Sequence, residues 1–187
     1  VRKMVSSEPH GDVAVALMTK GQVAGEYYTG AVDAVNRETV FPVASMSKWV
    51  TAVGVMQLVR DGRVDQGAPV GRYLTRWTLP AGPFDLSGVT TRRLLSHTAG
   101  LTDGLGFGDY RLDERLPTLE ESLRAPRAST GQPTAIAVEY EPGSRWQYSG
   151  GGYLILQLLV EEVSGQSFAA FMREAVLAPL HLSCSSF

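Results

Sequence analysis

The chain has 187 residues, of which 44% are hydrophobic and 19% charged, with a formal net charge of −2. That length supports a sizeable core. The near-neutral charge leaves no electrostatic footprint for nucleic acid, and no run approaches the roughly 18–20 apolar residues of a membrane-spanning helix. The N-terminal VRKMVSSEPHGD lacks the apolar core of a signal peptide. Because a signal can be cleaved, the compartment stays open between cytoplasm and export for what reads as a soluble protein. The one cysteine, Cys184, excludes an internal disulfide and a thiolate metal site, and reads as a small apolar filler. His10, His97 and His181 show no metal-ligand spacing, so neither metal nor cofactor is expected.

In chain order, DVAVALMTKGQVAGEYYTGAVD alternates apolar and polar residues around TKGQ. The alternation predicts a β-hairpin with strands near Val13–Met18 and Val23–Tyr28. FPVASMSKWVTAVGVMQLVRDG predicts an amphipathic helix from about Ser45 to a stop at Gly62, its apolar positions being Met46, Val50, Val53, Met56 and Val59. GAPVGRYLTRWTLPAGPFDLSG is rich in glycine and proline and reads as an irregular crossing segment. TTRRLLSH reads as a short helix capped by Thr90, and TAGLTDGLGFGDYR as a glycine-rich loop. TLEESLRA carries a capping box, Thr118 with Glu121. EPGSRWQYSGGGYLILQLLVEEVSG runs from a turn into an apolar helix ending at Gly165. SFAAFMREAVLAPL opens on a Ser167 cap and stops at Pro179.

The chemistry is concentrated in the second element. Of seventeen basic residues only Lys3, Lys20 and Lys48 are lysines. Arginine cannot titrate near neutral pH, whereas a buried lysine can, so a lysine in the first turn of an apolar helix is a candidate for proton transfer. Ser45 and Lys48 stand three residues apart, which puts both on one face of a helix. A serine hydroxyl needs an adjacent base to act as a nucleophile. Burial and the positive end of the helix dipole would both push a lysine toward its neutral, proton-accepting form. Backbone N–H groups at the same helix end could receive an oxyanion. An S-x-x-K spacing alone recurs by chance, and Ser45 would then be a plain N-cap with Lys48 solvated. Tyr148, in WQYSGGGY at the end of a turn, adds a phenol that could relay a proton to a leaving group. Serine, amine and phenol together would complete an acyl-transfer unit without histidine.

These residues, with LLSHTAGL at Leu94–Leu101, resemble the class C β-lactamase family, which also holds penicillin-binding DD-peptidases and serine esterases. FPVASMSK, LVRDGRVDQGAPVGRYL, LLSHTAGL, EPGSRWQYSGGGY and VSGQSFAAFMREAVLAPLHL follow the N-terminal hairpin in the family's order. The resemblance implies an α/β (α+β) fold of the serine β-lactamase/DD-peptidase type, an antiparallel sheet flanked by helices plus a mainly helical subdomain. It implies Ser45 as the acylated nucleophile, Lys48 as its base and Tyr148 as proton shuttle, with Ser149 and Gly150 toward the substrate. It assigns no chemistry to His97. Two features depart from the family. Gly150 replaces the asparagine of the Y-x-N motif, which removes an amide that contacts β-lactam substrates and points toward an esterase, peptidase or acyl transferase. The third motif, K-T-G or H-x-G on a strand, is absent.

Residues 1–187 are accordingly expected to be the N-terminal part of one β-lactamase-like catalytic domain. About 10–40 would form the sheet hairpin, 45–62 the nucleophile helix and 63–187 a mainly helical region. The C-terminal strands are absent from this chain, so a C-terminal segment or second chain is expected to complete sheet and cleft, and the chain alone is expected to be insoluble or molten. The implied reaction is serine hydrolysis of an ester, amide or lactam through an acyl-enzyme, with a small-molecule or peptide acyl substrate. The alternatives are a penicillin-binding DD-peptidase or true β-lactamase, and a non-catalytic binding or assembly module.

Overall fold

The computed structural model describes residues 11–30, 35–101, 110–111, 113–127 and 135–187. The N-terminal stretch with His10 and most of the glycine-rich loop lie outside them. Contacts divide the chain into two compact units, Val1–Val43 and Ala44–Phe187.

The first unit holds the hairpin, β1 (Val13–Thr19) paired antiparallel with β2 (Gln22–Thr29). Its two-residue turn is Lys20-Gly21, both at positive φ (51° and 77°). That is the combination a type I′ turn needs to follow the strands' twist. The register skips Ala24, with Leu17 opposite Gly25 and Met18 opposite Val23, a β-bulge. No residue of either strand is buried.

The second unit is helical. A 3₁₀ turn, Ala44–Met46, leads into α1 (Ser47–Arg60). The α1 helix ends in a Schellman motif: Gly62 N–H donates to the Val59 carbonyl and Arg63 N–H to that of Leu58, with Gly62 left-handed at φ 71°. The crossing segment carries only 3₁₀ turns at Val70–Arg72 and Leu86–Gly88. Next come α2 (Thr91–Leu95), capped by Thr90, and α3 (Leu119–Arg124), with the Thr118–Glu121 capping box formed in full. The long α4 (Gly151–Ser164) ends at left-handed Gly165. The last helix, α5 (Phe168–Met172), is capped by Ser167 and widens into a π turn, Arg173–Leu177, before Pro179.

The α4 helix is the axis of this unit and packs against α1, α2, α3 and α5. Its Ile155, Leu156, Leu158, Leu159 and Val160 are all buried, so it is apolar on nearly every side, as a central helix must be. The buried face of α1 is shifted from the expected one, of which Val50, Val53 and Val59 pack partly buried against the core. Thr51, Gly54, Val55 and Leu58 point inward, while Met46 and Met56 are exposed. Gly54 contributes to this: a Cβ there would collide with the Met172 side chain, which would have to shift. Arg76 ties the crossing segment to α3 and α4 through Glu120 (2.8 Å), Glu161 (2.5 Å) and Glu162 (3.3 Å). Cys184, expected as a filler, is exposed. No helix among the described residues is long and apolar enough to cross a membrane.

Candidate active site

Ser45 does not open the α-helix. It sits in the 3₁₀ turn just before it, and Met46 occupies the cap position without a side-chain bond. Lys48 is already in the first turn of α1, three residues on, so the pair spans the junction between the two windings. Lys48 Nζ donates to Ser45 Oγ at 3.2 Å. Ala44, immediately before Ser45, is left-handed at φ 46°, an uncommon state for a residue with a Cβ. It redirects the chain into the turn that presents the serine.

Tyr148 arrives from the other end of the unit, on the extended segment before α4, and its hydroxyl donates to Ser45 Oγ at 2.8 Å. The phenol and the ammonium thus converge on one oxygen. The Lys48 ammonium also lies 5.1 Å from the centre of the Tyr148 ring and 5.8 Å from that of Tyr153. Burial pushes the Tyr148 phenol up, but hydrogen bonding with Lys48 and Ser45 and the Lys48 charge outweigh it, and the net shift is below the ordinary value of 10.0. Tyr153 moves the opposite way: burial raises it, and so does proximity to Tyr148.

Lys48 itself is half-buried, not buried as its setting in an apolar helix suggested. The first turn of α1 lies at the rim of the unit, where the neighbouring Met46 and Trp49 are 70% and 75% exposed. The aromatic rings of Tyr148 and Tyr153 lie beside its side chain.

Ser149 and Gly150 part company. Ser149 is only 3% exposed, and its Oγ accepts from Gly152 N–H at 2.8 Å, which satisfies an otherwise orphaned donor of α4's first turn. That bond ties the Ser149 hydroxyl to the first turn of α4. Gly150 borders a groove of about 210 Å³ between α1 and α4, together with Lys48, Thr51, Tyr153, Leu154 and Phe168.

The residues that sequence reasoning missed are His97 and Tyr153. His97 lies in LLSHTAGL, whose chemistry was left unassigned, and Tyr153 looked like one more apolar-helix residue. The His97 ring stands 4.6 Å from that of Tyr148 and 5.3 Å from that of Tyr153, and the Tyr153 hydroxyl donates to the Leu95 carbonyl at 3.2 Å. The signal for His97 was the helix end itself, where a residue between α2 and a glycine must turn the chain. No group of three or more metal-ligating side chains comes together among the described residues.

The Beta-lactamase family profile matches residues 1–187. The chain belongs to the β-lactamase family. Among curated relatives, Penicillin-binding protein 4* of Bacillus subtilis (strain 168) is 31% identical over 141 residues, which cover 75% of this chain and 29% of that protein. Esterase EstB of Burkholderia gladioli is 29% identical over 167 residues, covering 80% and 39%. Among solved structures, the octameric penicillin-binding protein homologue from Pyrococcus abyssi superimposes with a TM-score of 0.74 at 26% identity, covering 97% of this chain and 42% of that one. The fold is thus of the β-lactamase/DD-peptidase type. This family member spans about 29–39% of the length of those two curated relatives.

Proposed function

We propose that this β-lactamase-family chain carries the nucleophilic half of a serine hydrolase that works through an acyl-enzyme at Ser45. One observation carries the reading: Lys48 Nζ and the Tyr148 hydroxyl meet on Ser45 Oγ from segments about a hundred residues apart. Ser45 Oγ attacks the acyl carbon of an ester, amide or lactam while its proton passes to neutral Lys48. The leaving group departs with a proton delivered through Tyr148, and water then releases the acyl group by the reverse route. In this reading the backbone N–H of Ser45, in the turn just before α1, receives the oxyanion. A C-terminal segment or second chain completes the sheet and the far wall of the cleft, making one catalytic domain.

A second assignment of the base has its own support. The Tyr148 hydroxyl stands 2.8 Å from Ser45 Oγ with Lys48 beside its ring, so Tyr148 as phenolate would be the acceptor in this alternative, with Lys48 as the fixed charge. Gly150 offers no amide to a β-lactam side chain, which favours an ester or a differently shaped amide. The relatives' names span both classes, a penicillin-binding protein and an esterase.

The test is intact mass after exposure to a fluorophosphonate or to penicillin. In the first case the Oγ–P bond forms and fluoride leaves. Adduct from the fluorophosphonate alone is expected. A long-lived penicillin adduct would indicate a DD-peptidase, and no adduct with either would indicate a non-catalytic module. Ser45→Ala should abolish labelling while leaving stability within about 0.5 kcal/mol, because the serine side chain caps nothing. Lys48→Arg should be unlabelled if lysine is the base, since guanidinium cannot take the proton. Labelling retained in Lys48→Arg assigns the base to Tyr148.

A further inference from the structure

We propose that His97 is the positioning residue of this site, clamping the Gln147–Ser149 segment at two points so that the Tyr148 phenol is aimed at Ser45. The inference rests on the acyl-enzyme reading for its catalytic meaning, but the clamp is a statement of geometry. The His97 carbonyl accepts from Gln147 N–H at 2.8 Å, and its ring Nδ1 accepts from Ser149 N–H at 3.2 Å. The two bonds bracket Tyr148, whose ring rests against the imidazole at 4.6 Å with a tilt of 33°. Trp146 meets the same imidazole edge-on at 5.9 Å.

Two features set this apart from ordinary packing. His97 is left-handed at φ 57°, a state that strains a residue with a Cβ and persists only where its surroundings hold it. That conformation turns the chain out of α2 so that carbonyl and ring face the same incoming segment. The acceptor role of Nδ1 also dictates the tautomer. In a neutral imidazole one nitrogen donates and the other accepts, so the ring proton is on Nε2. A ring with its proton on Nδ1 would face the Ser149 N–H donor to donor.

The chemical consequence is angular. Phenol, ammonium and serine must meet within hydrogen-bond reach, and a misplacement of about 1 Å costs on the order of 100-fold in rate. Of the side chains around the Tyr148 ring, which include Lys48 and Trp146, the imidazole stands nearest, at 4.6 Å between ring centres.

The test uses the full-length protein. His97→Asn tolerates the left-handed backbone and offers Oδ1 near the position of Nδ1, while His97→Ala removes the acceptor. With a fluorophosphonate probe, His97→Ala should lower the maximal inactivation rate about 10- to 100-fold with little change in the concentration for half-maximal rate. His97→Asn should recover to within about threefold of the parent. The Tyr148 phenol, followed by its phenolate absorbance against Tyr148→Phe, should titrate higher in His97→Ala than in His97→Asn. In the parent, nitrogen-15 NMR should find the imidazole proton on Nε2. A proton on Nδ1, or a folded His97→Ala with parent-like rate and phenol titration, would overturn the clamp. So would a folded His97→Asn as impaired as His97→Ala. If the parent takes no label at Ser45 yet the phenol still responds to His97→Ala, the clamp stands and the acyl-enzyme reading falls.

Discussion

Ser45, Lys48 and Tyr148 form a small electrostatic balance in which the phenol's state is set by its neighbours. Burial alone would raise Tyr148, and hydrogen bonding with Lys48 and Ser45 together with the Lys48 charge reverses the sign. Lys48→Ala removes the opposing hydrogen bond and charge together, leaving burial resisted only by Ser45. The phenolate band of the variant should therefore appear at higher pH than in the parent, read by ultraviolet difference against Tyr148→Phe. An unchanged titration would mean that Lys48 does not act on the phenol. The effect on stability follows from the sign. A depressed acid contributes stability that is fully present above its unfolded value near 10.0 and is lost as pH falls through its folded value. The parent's advantage over Lys48→Ala through this route should therefore be largest above the unfolded value and shrink as pH falls, read from melting points across the alkaline range. The pair Ser45–Lys48 was legible because its spacing is local, and Tyr148 because it precedes an apolar helix in a familiar order. His97 was not legible as part of the site, because its role arises from a left-handed backbone and a partner 52 residues away.

Helix boundaries were legible where caps announce them. Thr90, the Thr118–Glu121 box, Gly62, Gly165 and Ser167 each act where their residue type suggested. The buried face of α1 was legible only in part, because the helix is apolar nearly all round and periodicity then cannot choose a side. Small residues contribute to it, with Thr51 and Gly54 buried there. A polar cluster ties the middle of the crossing segment to α4. The Glu162 side chain, 11% exposed, accepts from Thr75 N–H and Oγ1–H, and from Arg76 N–H and Nε–H. Burial raises its carboxyl, but these donors together bring it below the ordinary 4.5. Its contribution is thus present above the unfolded value and lost as pH falls through the lower folded one. Glu162→Gln should destabilise the protein by about 1–3 kcal/mol at pH 7, measured by denaturant unfolding. The gap between parent and variant should close as the pH drops below the ordinary carboxylate range. A gap that persists in acid would assign the cost to packing rather than charge.

At the scale of the whole molecule the two units differ in kind. Every buried apolar side chain among the described residues lies between Val55 and Leu177, within the helical unit, whereas the hairpin buries none. A two-stranded ribbon is marginal in water, since its outer edges leave backbone donors and acceptors unpaired. Its own strand pairing gives no reason for it to persist without further strands. The helical unit does have such a reason, in a core centred on α4 with capped helices around it. This narrows the expectation that residues 1–187 alone would be insoluble or molten throughout. Native-state hydrogen exchange on residues 1–187 should find slow amides in α1 and α4 and near-unprotected amides in β1 and β2, because local opening costs almost nothing where no side chain is buried. The exposed apolar flank of α1, with Trp49 at its head, should promote association at high concentration. In the full-length protein, where the proposed additional strands pair with the hairpin, protection should extend into β1 and β2, and fluorophosphonate labelling of Ser45 should accelerate. Strong protection of β1 and β2 in residues 1–187 alone would show that the hairpin needs no further strand. The proposal that an added segment completes sheet and cleft would then fail, however well Ser45 reacts.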